Sequence, residues 1–409
     1  MLLCSLFAAA LFPGCSFLSP DVATVWTNVP EIAAYAEIYN GLGDEVRINV
    51  VYKDHPDRLT EGAAPPDVII GPNLNSIQHI TLFMPLDNLF GEDGMQESDF
   101  YAGVLSLGEY ENEKVLLPLS FNLEGLMIKK GDKGISSTLI SLDQMQTLSA
   151  GYNAKPEAKY QTMGFSPAWT QNAGMMLARL MNVDFRENAI GTLIWNEDAL
   201  TQAVDYARTW IRDTNGGFSK DQEFIQKYLY DPGHKLLNTS PPRIRFFPTT
   251  LSSFARLPSQ DRDPLDIVWL HHEEKIEVLE NIVFAGILKQ SKVKPIAKDF
   301  LVWLASEQTQ KMLLESARFK RIRTFGIANG LSTLITINEN TFPRYYPFLV
   351  GRIPPSKYLH FPSALPSEWQ QLLSDVVNPW IQVKLNRENP SEDTLPEQIR
   401  KWYLQQPNF

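Results

Sequence analysis

Cysteine is nearly absent from this sequence. The 409 residues contain two, Cys4 and Cys15, and nothing after position 15 carries a thiol. A disulfide-stapled framework is therefore excluded, and so is a cysteine-ligated metal in the body of the chain. A block of positive charge is also missing. The formal net charge is −10, and an acidic surface repels phosphate backbones, so nucleic acid is not an expected partner. Beyond the first residues no stretch reaches about 18 apolar residues without charge, so no spanning helix is expected there. The familiar catalytic signatures are missing too: no Gly-x-Ser-x-Gly, no His-Glu-x-x-His and no phosphate-binding loop occurs. His271-His272-Glu273-Glu274 crowds four candidate ligands together. Adjacent residues do not share one helix face, so the stretch reads as an exposed polar turn after a strand rather than a metal site. Neither an enzyme nor a cofactor is expected.

What is present is enough apolar material for packed cores. Hydrophobic residues make up 44% of the chain, and its length suits two cores better than one. Residues 1–14 form a short apolar stretch with Leu2, Leu3, Leu6, Phe7, Leu11 and Phe12, the size of a signal-peptide core and too short for a permanent span. Pro13-Gly14-Cys15 resembles a bacterial lipobox, although Phe12 stands where a small or β-branched residue is usual. That resemblance implies a signal peptide over 1–14, lipidation at Cys15 and a tether over 15–21. Attachment to a membrane would then be through lipid.

Strand and helix patterns alternate along the rest. Extended runs are expected at Val22–Trp26, Arg47–Tyr52 and Asp67–Ile70, with a helix after the first. Asn28-Val29-Pro30-Glu31 has the form of a capping box for that helix. This is the opening of a parallel sheet with crossover helices. Further extended runs are expected at Val115–Leu119, Leu123–Ile128, Ile244–Phe247, Asp266–Leu270 and Ile282–Leu288. Helical spacing occupies Ala168–Met181, Glu197–Asp213, the stretch from Ile296, and Trp369–Leu385, with a kink at Pro379. Ser141 with Gln144, and Thr394 with Glu397, match capping boxes. The fold class is α/β in two domains. No Pro/Gly-rich linker divides the chain, which suggests several passages between the domains.

Four segments together resemble the sugar-type extracellular solute-binding proteins, the family that includes maltodextrin-binding proteins. They are Ala23-Thr24-Val25-Trp26-Thr27-Asn28; Pro66-Asp67-Val68-Ile69-Ile70-Gly71 followed by Met84-Pro85-Leu86-Asp87-Asn88-Leu89-Phe90; Glu113-Lys114-Val115-Leu116-Leu117-Pro118-Leu119 running into Asn122; and Ala285-Gly286-Ile287-Leu288 continuing through the Ile296–Leu304 helix to Ser306-Glu307-Gln308-Thr309-Gln310. One departure stands out: the family's Tyr-Asn-Lys after the first crossing is Ile128-Lys129-Lys130 here. The resemblance implies a two-lobed periplasmic-binding-protein fold with a hinge of multiple crossings, near 119–124, 281–287 and 323–330. One lobe would take 22–119 plus 287–325, the other 124–281 plus 330–409. It implies a monomer on the periplasmic side of the cell envelope. Its partners would be a small-molecule ligand, a saccharide, and the permease subunits of an ABC importer.

Ligand-binding residues implied by the resemblance are Thr27 and Asn28 after the first strand, Asn73 after the third, and Asn122 in the first crossing. Trp169 and Trp269 are candidate stacking platforms from the second lobe. Each has a plainer alternative: an N-cap for Asn28, a turn residue for Asn73, a bend residue for Asn122, and core packing for the tryptophans. Trp210, Trp303 and Trp380 lie on apolar helical stripes and are assigned to core. Competing functions are an enzyme with dispersed carboxylates and a surface lipoprotein that keeps the fold but binds another partner.

Overall fold

A computed structural model describes residues 21–43, 45–59, 64–92, 94–153 and 162–405. Cys15 and the N-terminal apolar stretch lie outside the described residues. No helix among the described residues is long and apolar enough to cross a membrane.

The chain opens with β1 (Asp21–Thr27), α1 (Glu31–Asn40), β2 (Val46–Tyr52) and β3 (Val68–Pro72). β1 pairs in parallel with both β2 and β3, as the alternating pattern predicts. Val68, Ile69 and Ile70 are all fully buried, the expected outcome for a strand covered on both faces. The start of α1 differs from expectation. Pro30, not Asn28, occupies the N-cap position, and no side chain caps the helix. Thr27 Oγ1 instead accepts the Val29 N–H at 3.0 Å, a local turn that competes with the capping box.

β4 (Leu117–Phe121) is buried throughout, and β5 (Glu124–Lys129) follows after two residues. Then come β6 (Leu139–Ser141) and α2 (Leu142–Tyr152), which begins with the expected Ser141–Gln144 capping box. Thr170 caps α3 (Gln171–Leu180) and Asn196 caps α4 (Glu197–Thr209). β7 (Phe247–Thr250) begins where the expected run ends, because Ile244 bridges Met163 instead of joining the strand. β8 (Leu265–His271), β9 (Val283–Ile287), α5 (Lys294–Leu304), α6 (Glu307–Phe319) and β10 (Leu331–Ser332) follow. The kink expected at Pro379 takes the form of a wide turn over Leu373–Val377, with Pro379 in the first turn of α7 (Asn378–Asn386). Proline cannot donate to the preceding turn, and the wide turn absorbs the missing bond. α8 (Leu395–Gln405) starts at the Thr394–Glu397 box.

Two sheets organise these elements. The first has the order β10-β4-β9-β3-β1-β2 and the second β7-β5-β8-β6. The chain leaves the first sheet after Phe121 and enters the second at Glu124; it returns between β8 and β9. The third passage comes later than 323–330, because β10 still pairs with β4 at Leu331–Ser332. Tyr346 packs 4.9 Å from Phe325 on the first-sheet side, while Phe348 packs 5.4 Å from Phe254 on the second. Tyr346–Phe348 is therefore where the chain crosses. The architecture is a mixed α/β protein of two lobes joined by three passages.

Candidate functional site

The carboxyl ends of parallel strands face one way, so the loops after β1, β2 and β3 form one wall of a crevice. Thr27 ends β1 and Asn28 follows it, and the Lys53 N–H donates to Thr27 O at 2.9 Å. Asn28 reaches the loop after β2, its Nδ2 donating to Asp54 O at 3.4 Å. Its Oδ1 is buried and has no partner. That oxygen sits 3.1 Å from where a side chain on Gly71 would begin, so a larger residue there would push the Asn28 amide aside. Asn73 is partly exposed and left-handed at φ 58°, a conformation asparagine tolerates better than most. Ser76 Oγ is 3.0 Å from His79 Nδ1, and His79 Nε2 lies 3.5 Å from Asp57 Oδ2. This chain of polar atoms ties two loops together. It presents no nucleophile, because Ser76 is fully enclosed.

The floor of the crevice is the paired crossing. Leu123 bridges Val278, and the Leu279 N–H donates to Asn122 O at 3.0 Å. The Asn122 side chain is spent on the same joint. Its Oδ1 accepts from the N–H groups of Leu123 (3.0 Å) and Ser252 (3.3 Å), and its Nδ2 donates to Ser252 Oγ at 2.6 Å. Beside it lies an ion cluster. Arg179 on α3 grips Glu280 with two bonds of 2.6 and 3.1 Å and Glu124 with one of 3.2 Å. Burial pushes Glu124 up to about 7, Arg179 pulls against that rise, and Glu280 adds to it. Its neighbour Glu277 lies 2.9 Å from His360 Nδ1 and raises that imidazole above its ordinary value. A cavity of about 60 Å³ opens here against Arg179, Phe185 and Glu277. A water takes about 30 Å³ of liquid, so this space suits two waters and not a sugar ring. No group of three or more His, Cys, Asp or Glu among the described residues could hold a metal.

The two tryptophans do not reach the crevice as platforms. Trp269 on β8 is 0% exposed, and its indole N–H donates to Arg352 O at 2.6 Å; a ring enclosed on both faces offers none to a sugar. Trp169 is buried, stacked on Phe224 at 5.6 Å and edge-on to Phe165 at 5.8 Å. Both serve the second-lobe core. Of the six expected site residues, the fold brings Thr27, Asn28 and Asn73 to one wall, puts Asn122 in the floor and leaves the tryptophans behind. Thr27 is 1% exposed, so it shapes the turn rather than facing outward.

Sequence reasoning missed the opposite wall. The strap after His360 and the hairpin Arg186–Ile194 lie against the first lobe. Phe361 packs 5.4 Å from Phe121 and 6.4 Å from Tyr101, and its ring fills the place of a Gly103 side chain. Glu187 Oε1 accepts the Ile77 N–H at 2.6 Å, and Ser367 Oγ donates to Gln78 Oε1 at 2.7 Å. Burial pushes Glu187 up to about 7, the Ile77 N–H lowers it, and Glu368 raises it further. No local pattern announces these residues, since each is an ordinary loop residue until the lobes meet.

No protein-family model matches the sequence, and no curated protein sequence matches it. Solved structures do match in shape. A cyclic α-maltosyl-1,6-maltose binding protein from Arthrobacter globiformis aligns over 93% of this chain and 97% of its own, at 15% identity and a TM-score of 0.61. An ABC substrate-binding protein from Listeria monocytogenes, in complex with cycloalternan, aligns over 93% and 98%, at 13% identity and a TM-score of 0.58. A maltotriose binding protein from Thermus thermophilus aligns over 93% and 100%, at 12% identity and a TM-score of 0.57. Coverage is nearly complete on both sides, and the two sheets, the three passages and the crevice between them agree with it: the chain has the two-lobed α/β fold of the ABC-importer substrate-binding proteins.

Proposed function

We propose that this chain is the solute-binding component of an ABC importer, taking a saccharide between its lobes and delivering it to a membrane permease. The observation that carries the reading is the end-to-end correspondence with sugar-binding neighbours, one of them bound to maltotriose and another to cycloalternan. The physics suits the task. Two rigid lobes on a three-stranded hinge can move as bodies, and a ligand touching both shifts the balance of open and closed forms by its differential affinity. Asn28 and Asn73 stand on the wall where fixed amides would meet sugar hydroxyls. Lipidation at Cys15 would hold the protein at the outer face of the membrane, where the permease takes over the ligand.

A panel of mono- and oligosaccharides tested by thermal shift checks the proposal. A binder at a hundred times its Kd should add about 2.7 kcal/mol of stability; a panel without any shift would reject a saccharide ligand. Fatty-acid labelling of the wild type but not of Cys15→Ser checks the anchor. One observation favours a second reading. Phe361 and Glu187 already fill contacts between the lobes, which suits a surface lipoprotein that keeps the fold and binds a different partner.

A further inference from the structure

Three contacts and one close backbone approach span the crevice mouth, and they come from two separate pieces of the second lobe. The hairpin Arg186–Ile194 supplies Glu187 to the Ile77 N–H, and Gly191 of its turn approaches Ile77 so closely that an added side-chain carbon would stand 3.0 Å from Ile77 Cγ2. The strap supplies Ser367 to Gln78 and Phe361 to Gly103, Tyr101 and Phe121. The two pieces are themselves joined, the Glu187 N–H donating to Ala364 O at 2.8 Å and Ser363 Oγ to Asp184 at 3.2 Å. These two bonds tie the hairpin and the strap into one unit that faces the first lobe.

We infer that this unit is a releasable latch, in which Glu187 on the Ile77 N–H and Phe361 on Gly103 hold the crevice shut and must let go before any ligand is admitted. The latch differs from the hinge in kind. It consists of one backbone bond, one side-chain bond and one aromatic wedge, so few interactions have to break together. Its polar member is also imperfectly served: Glu187 Oε2 is buried and has no partner. A carboxylate oxygen enclosed without a donor disfavours the charged form.

The charged surroundings set the sign. From the first lobe Glu187 accepts the Ile77 N–H, with neutral Gln78 next to it and His79 3.5 Å from Asp57. From the strap it faces Glu368, which is bonded to Tyr403 of α8 and to Ser367. On its own hairpin Arg186 is paired 3.1 Å from Asp184. No cation in this set offsets the charge. The shut form therefore holds the Glu187 proton more tightly than an open form, in which the carboxyl meets water and titrates near its ordinary 4.5. Closure gains fully from this proton below about 4.5 and loses that gain as the pH rises through about 7. Alkaline conditions release the latch.

Hydrogen–deuterium exchange on the full-length protein tests this without any ligand, so its outcome is independent of whether the solute is a sugar. Peptides covering 73–80 and 186–194 report the latch, and peptides covering β3 and β9 report the fold; rates are corrected for the intrinsic pH dependence of exchange. In the wild type, latch protection should fall about tenfold from pH 6 to pH 9 while the strand peptides do not change. Glu187→Gln keeps the shape and the acceptor but cannot ionise, so its protection should stay flat with pH. Phe361→Ala should leave both latch peptides poorly protected at either pH. Wild-type protection that is equal at pH 6 and pH 9 would overturn the inference and favour a permanently filled crevice. The same loss in Glu187→Gln would overturn it too, because Glu124, also raised by burial, would then be the titrating group.

Discussion

The hinge and the latch both join the lobes, yet they are built on opposite principles. At the hinge most polar groups are answered, with Glu277 Oε1 left over. Asn122 makes three side-chain bonds, and Arg179 is shared between two carboxylates. At the latch one carboxylate oxygen is unanswered, and the apolar contribution comes from a single ring. A joint that must hold in all states is better served by answered groups, because one unpaired buried group costs about 1–3 kcal/mol. A joint that must open is better left marginal, drawn from the low-stability end of the molecule.

This contrast can be broken or sharpened by substitution. The largest effect is expected at a core position, Trp269→Ala. Removing a fully enclosed indole should lower stability by about 3–5 kcal/mol in denaturant unfolding. If stability were unchanged while sugar affinity fell, Trp269 would be a platform after all. Next is Arg179→Met, which strands Glu124 and Glu280 in the interior. Losing one partner of a buried ion cluster costs about 3 kcal/mol or more, and adding Glu124→Gln and Glu280→Gln should restore part of it. A near-neutral Arg179→Met would mean that the hinge is no firmer than the latch.

Asn122→Ala should cost about 1–3 kcal/mol, by leaving Ser252 and the Leu123 N–H without their acceptor. A loss of affinity with no loss of stability would instead return Asn122 to the ligand site. The pH dependence of unfolding follows from Glu124. Its carboxyl is raised from 4.5 to about 7 in the folded protein, so folding favours the protonated form. The stability it contributes is complete below about 4.5 and is lost as the pH rises through about 7. Glu124→Gln should flatten that part of the stability profile, and a profile identical to wild type would assign the slope elsewhere. The smallest effect belongs far from both joints: Thr394→Ala removes the exposed cap of α8 and should cost about 0.5–1 kcal/mol.

The strands and helices were legible wherever one local rule acted alone. Ser141 with Gln144 and Thr394 with Glu397 form the boxes their spacing predicts, and Val68–Ile70 is the buried central strand its unbroken apolar run predicts. Asn28 misled because two local rules competed, and the Thr27 hydroxyl took the turn first. The tryptophans misled because an aromatic side chain reads the same in sequence whether its face meets a sugar or Phe224. Burial distinguishes the two, and burial is a property of neighbours.

The crevice residues divide the same way. Asn28 and Asn73 were named through the family resemblance, and both lie just past the ends of parallel strands on one wall of the crevice. Glu187, Phe361 and Ser367 could not, since their partners lie 110, 240 or more, and 289 residues away in sequence. By itself the sequence determined the alternation of strand and helix, most of the caps and the parallel opening of the first sheet. Those are matters of periodicity and composition, which act within a few residues. Only the tertiary structure decided which side chains close the crevice, where the third passage falls and which carboxyls resist ionisation. These depend on distance and desolvation between groups that meet only when the two lobes fold together.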